Sequence, residues 1–191
     1  MTRPALTLRL ADIDPDTLAR DLSAALAHHV ARLALPLSPG LTVHVAGPHG
    51  DTGIGLTAAD LARYARGEGD LDDAVESYAV ELVPLLASPL DPPSGPLPAL
   101  LTAWLAGEVN VSDLDPDSLP DRLALVLTAA LGREAVETGS RVSVAQLAAL
   151  AGIDPNSVRR LARAGELDTT DGAVSAKDAR RWLRARGVPG L

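Results

Sequence analysis

A short segment near the carboxyl-terminal end of this 191-residue chain carries side chains suited to nucleic-acid recognition. Amide and guanidinium groups hydrogen-bond base edges, and guanidinium groups also pair with phosphates. Val158 and Leu161 lie three positions apart within the segment, so a helix would turn them inward and the polar residues outward. The predicted DNA-binding residues are Asn156, Ser157, Arg159, Arg160 and Arg163, together with Lys177 from a later segment.

Residues 144–163 fit a helix-turn-helix pattern that would hold this set in place. Ala148 is small where two helices must meet closely, and Gly152 follows four residues later, where a tight turn favours positive φ. Asp154 can cap the second helix, and Pro155 fits its first turn. The pattern therefore predicts two short helices, the second of which presents the basic set.

The residues after the second helix predict a small hairpin and a last helix. Asp171-Gly172 is a favoured tight turn within residues 167–174. Ser175 can cap the next helix, and Gly187 can end it. The buried face of that helix would comprise Ala179, Trp182 and Leu183. The predicted order is helix, turn, helix, hairpin, helix, and the hairpin within residues 167–174 is called the wing.

Three stretches carry a resemblance to a known family: Ser143–Ile153, Val158–Leu167 and Val174–Leu183. With them, residues 142–187 resemble the winged-helix DNA-binding domains of the MerR and phage excisionase group. The resemblance covers about a quarter of the chain and does not extend into residues 1–140. It implies that the second helix enters the major groove and that the wing touches an adjacent groove or the backbone. The groove-facing residues would then be Asn156, Ser157, Arg159, Arg160 and Arg163.

Two features separate this segment from the MerR regulators. Those regulators usually have an aromatic residue after the arginine of the recognition helix, whereas Arg160 follows Arg159 here. The wing has no basic residue and carries Asp168 and Asp171, which disfavours wing contacts to phosphate. Both features favour the excisionase-like variant over a MerR sensor.

The charge of the chain changes sign along its length. The net charge is −8, which by itself argues against a nucleic-acid binder. Residues 1–140 hold 8 basic and 20 acidic side chains, a net charge of −12, whereas residues 141–191 hold 9 and 5, a net charge of +4. This division predicts an acidic dimerisation or regulatory domain over residues 1–140 and a DNA-binding domain over residues 141–191.

The amino-terminal region predicts a mostly helical domain with two short strands. Apolar residues alternate with polar ones at Leu6–Leu10 and again at Leu41–Val45. Helical spacing is found at residues 17–35, 57–66, 71–83, 97–107 and 117–132. Residues 88–96 are rich in Pro and Gly and predict a linker or surface loop. The expected fold class is mainly α (α+β), a small mixed or helical amino-terminal domain followed by a winged helix-turn-helix.

These features favour a sequence-specific or structure-guided DNA-binding protein, a transcriptional regulator that acts as a homodimer on double-stranded DNA. Two alternatives stay open: an excisionase-like accessory factor for recombination or genome maintenance, and an adaptor that uses the helix-turn-helix to dock a protein. Residues 1–140 would dimerise or bind a partner protein. Dimerisation is expected because a single domain of net charge +4 would bind DNA weakly.

Catalysis is not expected. The chain has no cysteine, and no His spacing supports a metal site. The Gly-rich segment Gly47–Gly55 matches neither the P-loop nor the dinucleotide pattern, so an enzyme built around it is the least favoured hypothesis. We therefore expect no cofactor. No signal peptide and no apolar run of about 18 residues are visible, which predicts a cytoplasmic, nucleoid-associated protein without membrane contact.

Overall fold

A computed structural model describes residues 8–34, 53–71 and 117–191. These residues form a mainly helical fold with a small three-stranded antiparallel sheet, which confirms the expected fold class. The helices are α1 (Pro15–Ala34), α2 (Gly53–Arg66), α3 (Leu119–Thr138), α4 (Val144–Ala151), α5 (Pro155–Arg163) and α6 (Ala176–Ala185). The strands are β1 (Val142–Ser143), β2 (Thr169–Thr170) and β3 (Ala173–Val174), in the spatial order β1-β3-β2.

The strand predicted at Leu6–Leu10 is wrong over the residues that the structure describes. Leu8 and Leu10 are buried and Arg9 is exposed, as the alternation predicts. However, Leu10–Asp12 form a 3₁₀ turn, in which the Asp12 amide donates to the Arg9 carbonyl at 3.0 Å. The backbone hydrogen bonds of this segment are therefore local and do not form a sheet ladder.

Several other predicted elements cannot be compared in full. The strand at Leu41–Val45, the helix at 97–107 and the loop at 88–96 lie outside the described residues, as does nearly all of the helix at 71–83. The last part of the Gly-rich segment, from Gly53 on, is described and is helical. Helix α2 begins at Gly53, four residues before the predicted start at Thr57.

The Asp14 side chain lies just before α1. Its carboxylate accepts a hydrogen bond from the Thr17 amide at 3.0 Å, and its bond with the Thr17 hydroxyl lowers the pKa of Asp14.

Helices α1 and α2 pack against each other through small and branched apolar side chains. The buried face of α1 includes Leu18 and Leu22. That of α2 includes Ala58, Leu61, Ala62 and Ala65. With so few aromatic residues, closely spaced helices bearing alanines make up this part of the core.

Helix α3 is the central element of the described fold. It begins after Ser118, whose hydroxyl accepts from the Asp121 amide, and it ends at Gly139, where φ is 80°. The predicted end at residue 132 is six residues too early. Gly132 is a packing position: a Cβ there would lie 2.9 Å from the Gln146 Cβ and 3.1 Å from the Leu150 Cδ1. Its lack of a side chain lets α3 approach α4 closely.

In the described part of the chain, one hydrophobic core joins the segments before and after residue 140. Helix α3 contacts α1 and α2, which precede it, and α4 and α6, which follow it. The joined buried side chains include Leu123, Val126 and Val136 before residue 140 and Val142, Leu147 and Leu183 after it. The change of charge at residue 140 is therefore not accompanied by a gap in the core.

A buried arginine ties α3 to α2 and to the carboxyl-terminal segment. The Arg133 side chain is 2% exposed, and it donates to the carbonyls of Ala65 at 3.3 Å and Pro189 at 2.6 Å. Glu137 lies 3.7 Å from its guanidinium and accepts the Tyr64 hydroxyl at 2.7 Å. Burial lowers the pKa of Arg133, while Glu137 acts in the opposite direction. Burial, and then the bond to Glu137, raise the pKa of Tyr64, so its phenol stays protonated.

Candidate nucleic-acid interface

Helix α4 and the turn after it have the local chemistry that the sequence predicts. The Ser143 hydroxyl accepts from the Gln146 amide at 3.2 Å, and the Gln146 side chain accepts from the Ser143 amide at 2.8 Å. This reciprocal capping box fixes the start of α4. Gly152 has φ of 63°, and the next amide, that of Ile153, donates to the Ala148 carbonyl at 3.1 Å. The turn is thus closed by the left-handed glycine expected there.

Helix α5 follows with one buried and one exposed face. Its start is capped by Asp154, whose carboxylate accepts from the Asn156 amide at 2.6 Å. Pro155 and Val158 are buried, and Val158 has no exposed surface. Helical periodicity directs the Val158 side chain against α4 and places the polar residues of α5 on the opposite side.

The structure places the predicted DNA-binding residues of α5 on that outer side. Asn156, Arg159, Arg160 and Arg163 are exposed, and Ser157 is half-buried. The Arg159 guanidinium donates to the Asn156 Oδ1 at 2.9 Å. Within residues 8–34, 53–71 and 117–191, none of the three arginines pairs with a carboxylate. The outer face of α5 therefore carries three positive charges that the described protein does not neutralise.

The wing is a two-residue hairpin turn between β2 and β3. Asp171 and Gly172 have φ values of 53° and 73°, as a type I′ turn requires. Strand β3 pairs with both β1 and β2, and Val174 lies opposite Val142 and Thr169. The sequence therefore predicted the turn correctly.

Sequence reasoning missed one basic residue next to the wing. The Arg141 guanidinium donates to the carbonyls of Thr170 and, at 2.9 Å, of Ala173. A positive charge from outside the hairpin thus lies against it. No local pattern reveals this contact, since it depends on how β1 pairs with β3.

The remaining predicted residue is Lys177. It lines an open groove of about 600 Å³ between the end of α3 and the side of α6. Three further cations of α6 line the same groove: Arg180, Arg181 and Arg184. Among the described residues, the lining of this groove includes no side chain of α5. The groove that Lys177 lines is therefore shared with cations of α6 and not with the predicted residues of α5.

The basic side of α6 is only partly neutralised. Arg180 donates to the Val136 carbonyl at 2.8 Å, and Arg181 lies 2.9 Å from the Asp178 carboxylate. Lys177 and Arg184 form no hydrogen bond or ion pair with the part of the chain that the structure describes. The spacing of these cations at positions i, i+3, i+4 and i+7 was the available sequence signal for a basic stripe.

Two absences concern the described ranges only. No cluster of three or more His, Asp or Glu side chains suited to a metal ion is found there. No helix within them has the length and apolar character needed to cross a bilayer. Comparisons with protein-family models, with curated proteins and with solved structures found no match for this chain.

Proposed function

We propose that this protein binds double-stranded DNA as a homodimer and regulates transcription, with α5 inserted in the major groove. The observation that carries the proposal is the outer face of α5. It presents Asn156, Arg159, Arg160 and Arg163 to solvent, and its arginines have no carboxylate partner among the described residues.

The chemistry of this face fits groove recognition better than a solvated surface. Arginine donates two parallel hydrogen bonds to guanine, and asparagine can do the same with adenine. A helix fits the width of the major groove, and its arginines can also reach phosphates. Because Val158 anchors the opposite side of α5, these side chains would meet DNA from a fixed support.

Two further features support the proposal. The capped helices α4 and α5 and the hairpin follow one another in the order that winged helix-turn-helix domains use. The acidic residues 1–140 would repel the DNA backbone and so confine binding to one face. A dimer would double the number of phosphate contacts, which a domain of net charge +4 needs for useful affinity.

The decisive experiment compares two double variants with the same change of charge. Arg159→Ala with Arg160→Ala removes the centre of the α5 face, whereas Arg20→Ala with Arg63→Ala removes two arginines from α1 and α2. Chromosomal DNA bound to the wild-type protein would be recovered by immunoprecipitation, and its most enriched duplex would be labelled. Fluorescence anisotropy then measures Kd on this duplex and on a scrambled duplex.

We expect the α5 variant to bind the enriched duplex at least 100-fold more weakly, since each lost bidentate contact costs about 1–3 kcal/mol. The α1–α2 variant should bind as the wild type does. Equal affinities of the two variants would contradict the proposal. The position of the enriched duplex, in a promoter or at a recombination site, separates regulation from the excisionase-like alternative.

A further inference from the structure

A second open cavity is lined by described residues other than the predicted DNA contacts. Its walls come from four segments: residues 9–11, residues 65–68, the end of α4 with its turn at 150–152, and residues 186–189. We call it the tail cleft. Its volume is about 460 Å³, which falls in the range of small-molecule sites. Among the described residues, its lining includes none from α5.

The charged groups of the tail cleft are mostly cationic. Three arginines line it, Arg9, Arg66 and Arg186, and Glu68 supplies its carboxylate in the described chain. Glu68 lies 3.7 Å from the Arg66 guanidinium, so this charge is already offset. The cleft therefore keeps an excess of positive charge.

The three arginines have different roles. Arg66 donates to the carbonyls of Leu10 at 3.3 Å and Ala11 at 3.1 Å, and also to that of Ile13, which holds it in the wall. Arg9 and Arg186 are exposed, and their guanidinium groups have no hydrogen-bond acceptor within the described ranges.

The position of Arg186 is set without using its hydrogen-bond donors. Its guanidinium lies over the Trp182 ring, 4.2 Å from the ring centre. Such a cation–π contact uses the face of the ring and none of the N–H donors of Arg186. These donors are therefore available to an anion.

The other side chains that line the tail cleft are apolar. Leu10 and Leu150 are each 7% exposed, and Val188 and Ala151 are half-buried beside them. The backbone of Gly152 adds a surface without a side chain, close to the stem of Arg9. Such a lining favours a hydrocarbon or aromatic group over a hydrated ion.

We propose that the tail cleft binds a small organic anion: a carboxylate, sulfonate or phosphate on an apolar body. Arg9 and Arg186 pair with the anionic group, and Leu150 and Val188 contact the apolar body. The site does not depend on DNA binding. A ligand there would touch Gly152, the residue that leads into α5, and would join it to the amino-terminal and carboxyl-terminal segments.

The test uses two dyes that share an aromatic body. 8-Anilino-1-naphthalenesulfonate carries one negative charge, and N-phenyl-1-naphthylamine carries none. Each is titrated into the full-length protein, and fluorescence gives Kd and the number of sites. The variants are Arg9→Ala with Arg186→Ala, the charge-matched Arg20→Ala with Arg63→Ala, and Ala151→Phe, which fills the cleft.

We expect the sulfonate to bind the wild type at one saturable site and to raise its Tm. Loss of Arg9 and Arg186 should weaken sulfonate binding at least tenfold and leave the affinity for the neutral dye unchanged. The charge-matched variant should behave as the wild type does, and Ala151→Phe should reduce the binding of both dyes.

Two results would overturn the proposal. One is sulfonate binding that does not saturate or that exceeds one site per chain. The other is equal sulfonate affinity in the arginine variant and its charge-matched control. Each variant's Tm is measured first, and the single substitution Arg9→Ala replaces the double variant if the latter does not fold.

Discussion

The arginines of the amino-terminal helices and those of α5 have opposite surroundings. Arg63 contacts the carboxylates of Asp16 and Asp60, the latter at 2.8 Å, and Arg122 lies 2.7 Å from Asp21. On α5, by contrast, Arg159, Arg160 and Arg163 face solvent without such a partner in the described chain. The same side chain neutralises an acidic surface in one region and leaves a positive face in the other.

This difference shows that the local pairing of charges is more informative than their sum. A guanidinium paired with a carboxylate has its charge already offset, so it attracts a phosphate less strongly than an unpaired one does. An unpaired guanidinium keeps both its positive charge and its N–H donors available to a phosphate. Arg63 and Arg122 thus hold the fold together, whereas the arginines of α5 keep their donors for a ligand.

The largest expected effect concerns Arg133, the most buried of the structural arginines. Arg133→Met should lower the free energy of unfolding by about 3 kcal/mol, because breaking a buried charged group's contacts leaves its partners unsatisfied. The carbonyls of Ala65 and Pro189 would lose their donor. Urea unfolding measures the change, and Arg20→Ala, on the surface, serves as control. A loss below 1 kcal/mol would show that the buried contacts of Arg133 are not structural.

The second expected effect concerns the basic side of α6. If DNA also lies along this groove, Lys177→Ala with Arg184→Ala should make the slope of log Kobs against log salt shallower by about 1.8, at about 0.9 per phosphate contact. The weakening should be equal on specific and scrambled duplexes, because phosphate contacts carry no sequence information. An unchanged slope would leave α5 as the sole basic surface for DNA.

A smaller effect is expected where the arginine is exposed and paired. Arg63→Ala should lower the free energy of unfolding by no more than about 1 kcal/mol, since surface ion pairs contribute 0–1 kcal/mol. The Arg63 side chain is 39% exposed, against 2% for Arg133. Urea unfolding of Arg63→Ala and Arg133→Met under the same conditions measures the loss in the free energy of unfolding for each. An equal loss from the two substitutions would contradict the claim that an exposed, paired arginine stabilises the fold less than the buried Arg133 does.

The smallest effect concerns pH and the acidic start of α1. The pKa of Asp14 is below its ordinary value of 3.8 because its carboxylate accepts from Thr17. A depressed pKa stabilises the fold above pH 3.8, and this contribution is lost as pH falls through the folded pKa. The stability difference between wild type and Asp14→Ala should therefore narrow below pH 3.8, as urea unfolding at pH 3 and pH 6 would reveal. If the stability difference were the same at pH 3 and pH 6, the ionised Asp14 carboxylate would not be the form that caps α1.

The elements that depend on local chemistry could be predicted from the sequence. Asp154 caps α5, Gly152 adopts positive φ, and Asp171-Gly172 forms the hairpin turn, all as their residue types require. The exposed face of α5 followed from the inward spacing around Val158. In each case the controlling interaction spans five positions or fewer.

The features that depend on tertiary packing could not be predicted. The alternation at Leu8–Leu10 reports burial correctly, but a strand also needs a partner, and none of the described strands pairs with it. Gly132 looks like the end of a helix until α4 is placed against it. Arg141 and Arg133 contact residues that lie 29 to 68 positions away. Such contacts leave no local pattern.

The position of Arg133 has a consequence for the order of folding. A Cβ added at Gly67 would lie only 2.6 Å from the Pro189 carbonyl oxygen, so the backbones at these two places nearly touch. This contact closes a loop of more than a hundred residues, and such long-range contacts form slowly. During synthesis α2 and α3 emerge well before residue 189 does. Arg133 can therefore gain its Pro189 acceptor only after the residues of α2 and α3 have been synthesised.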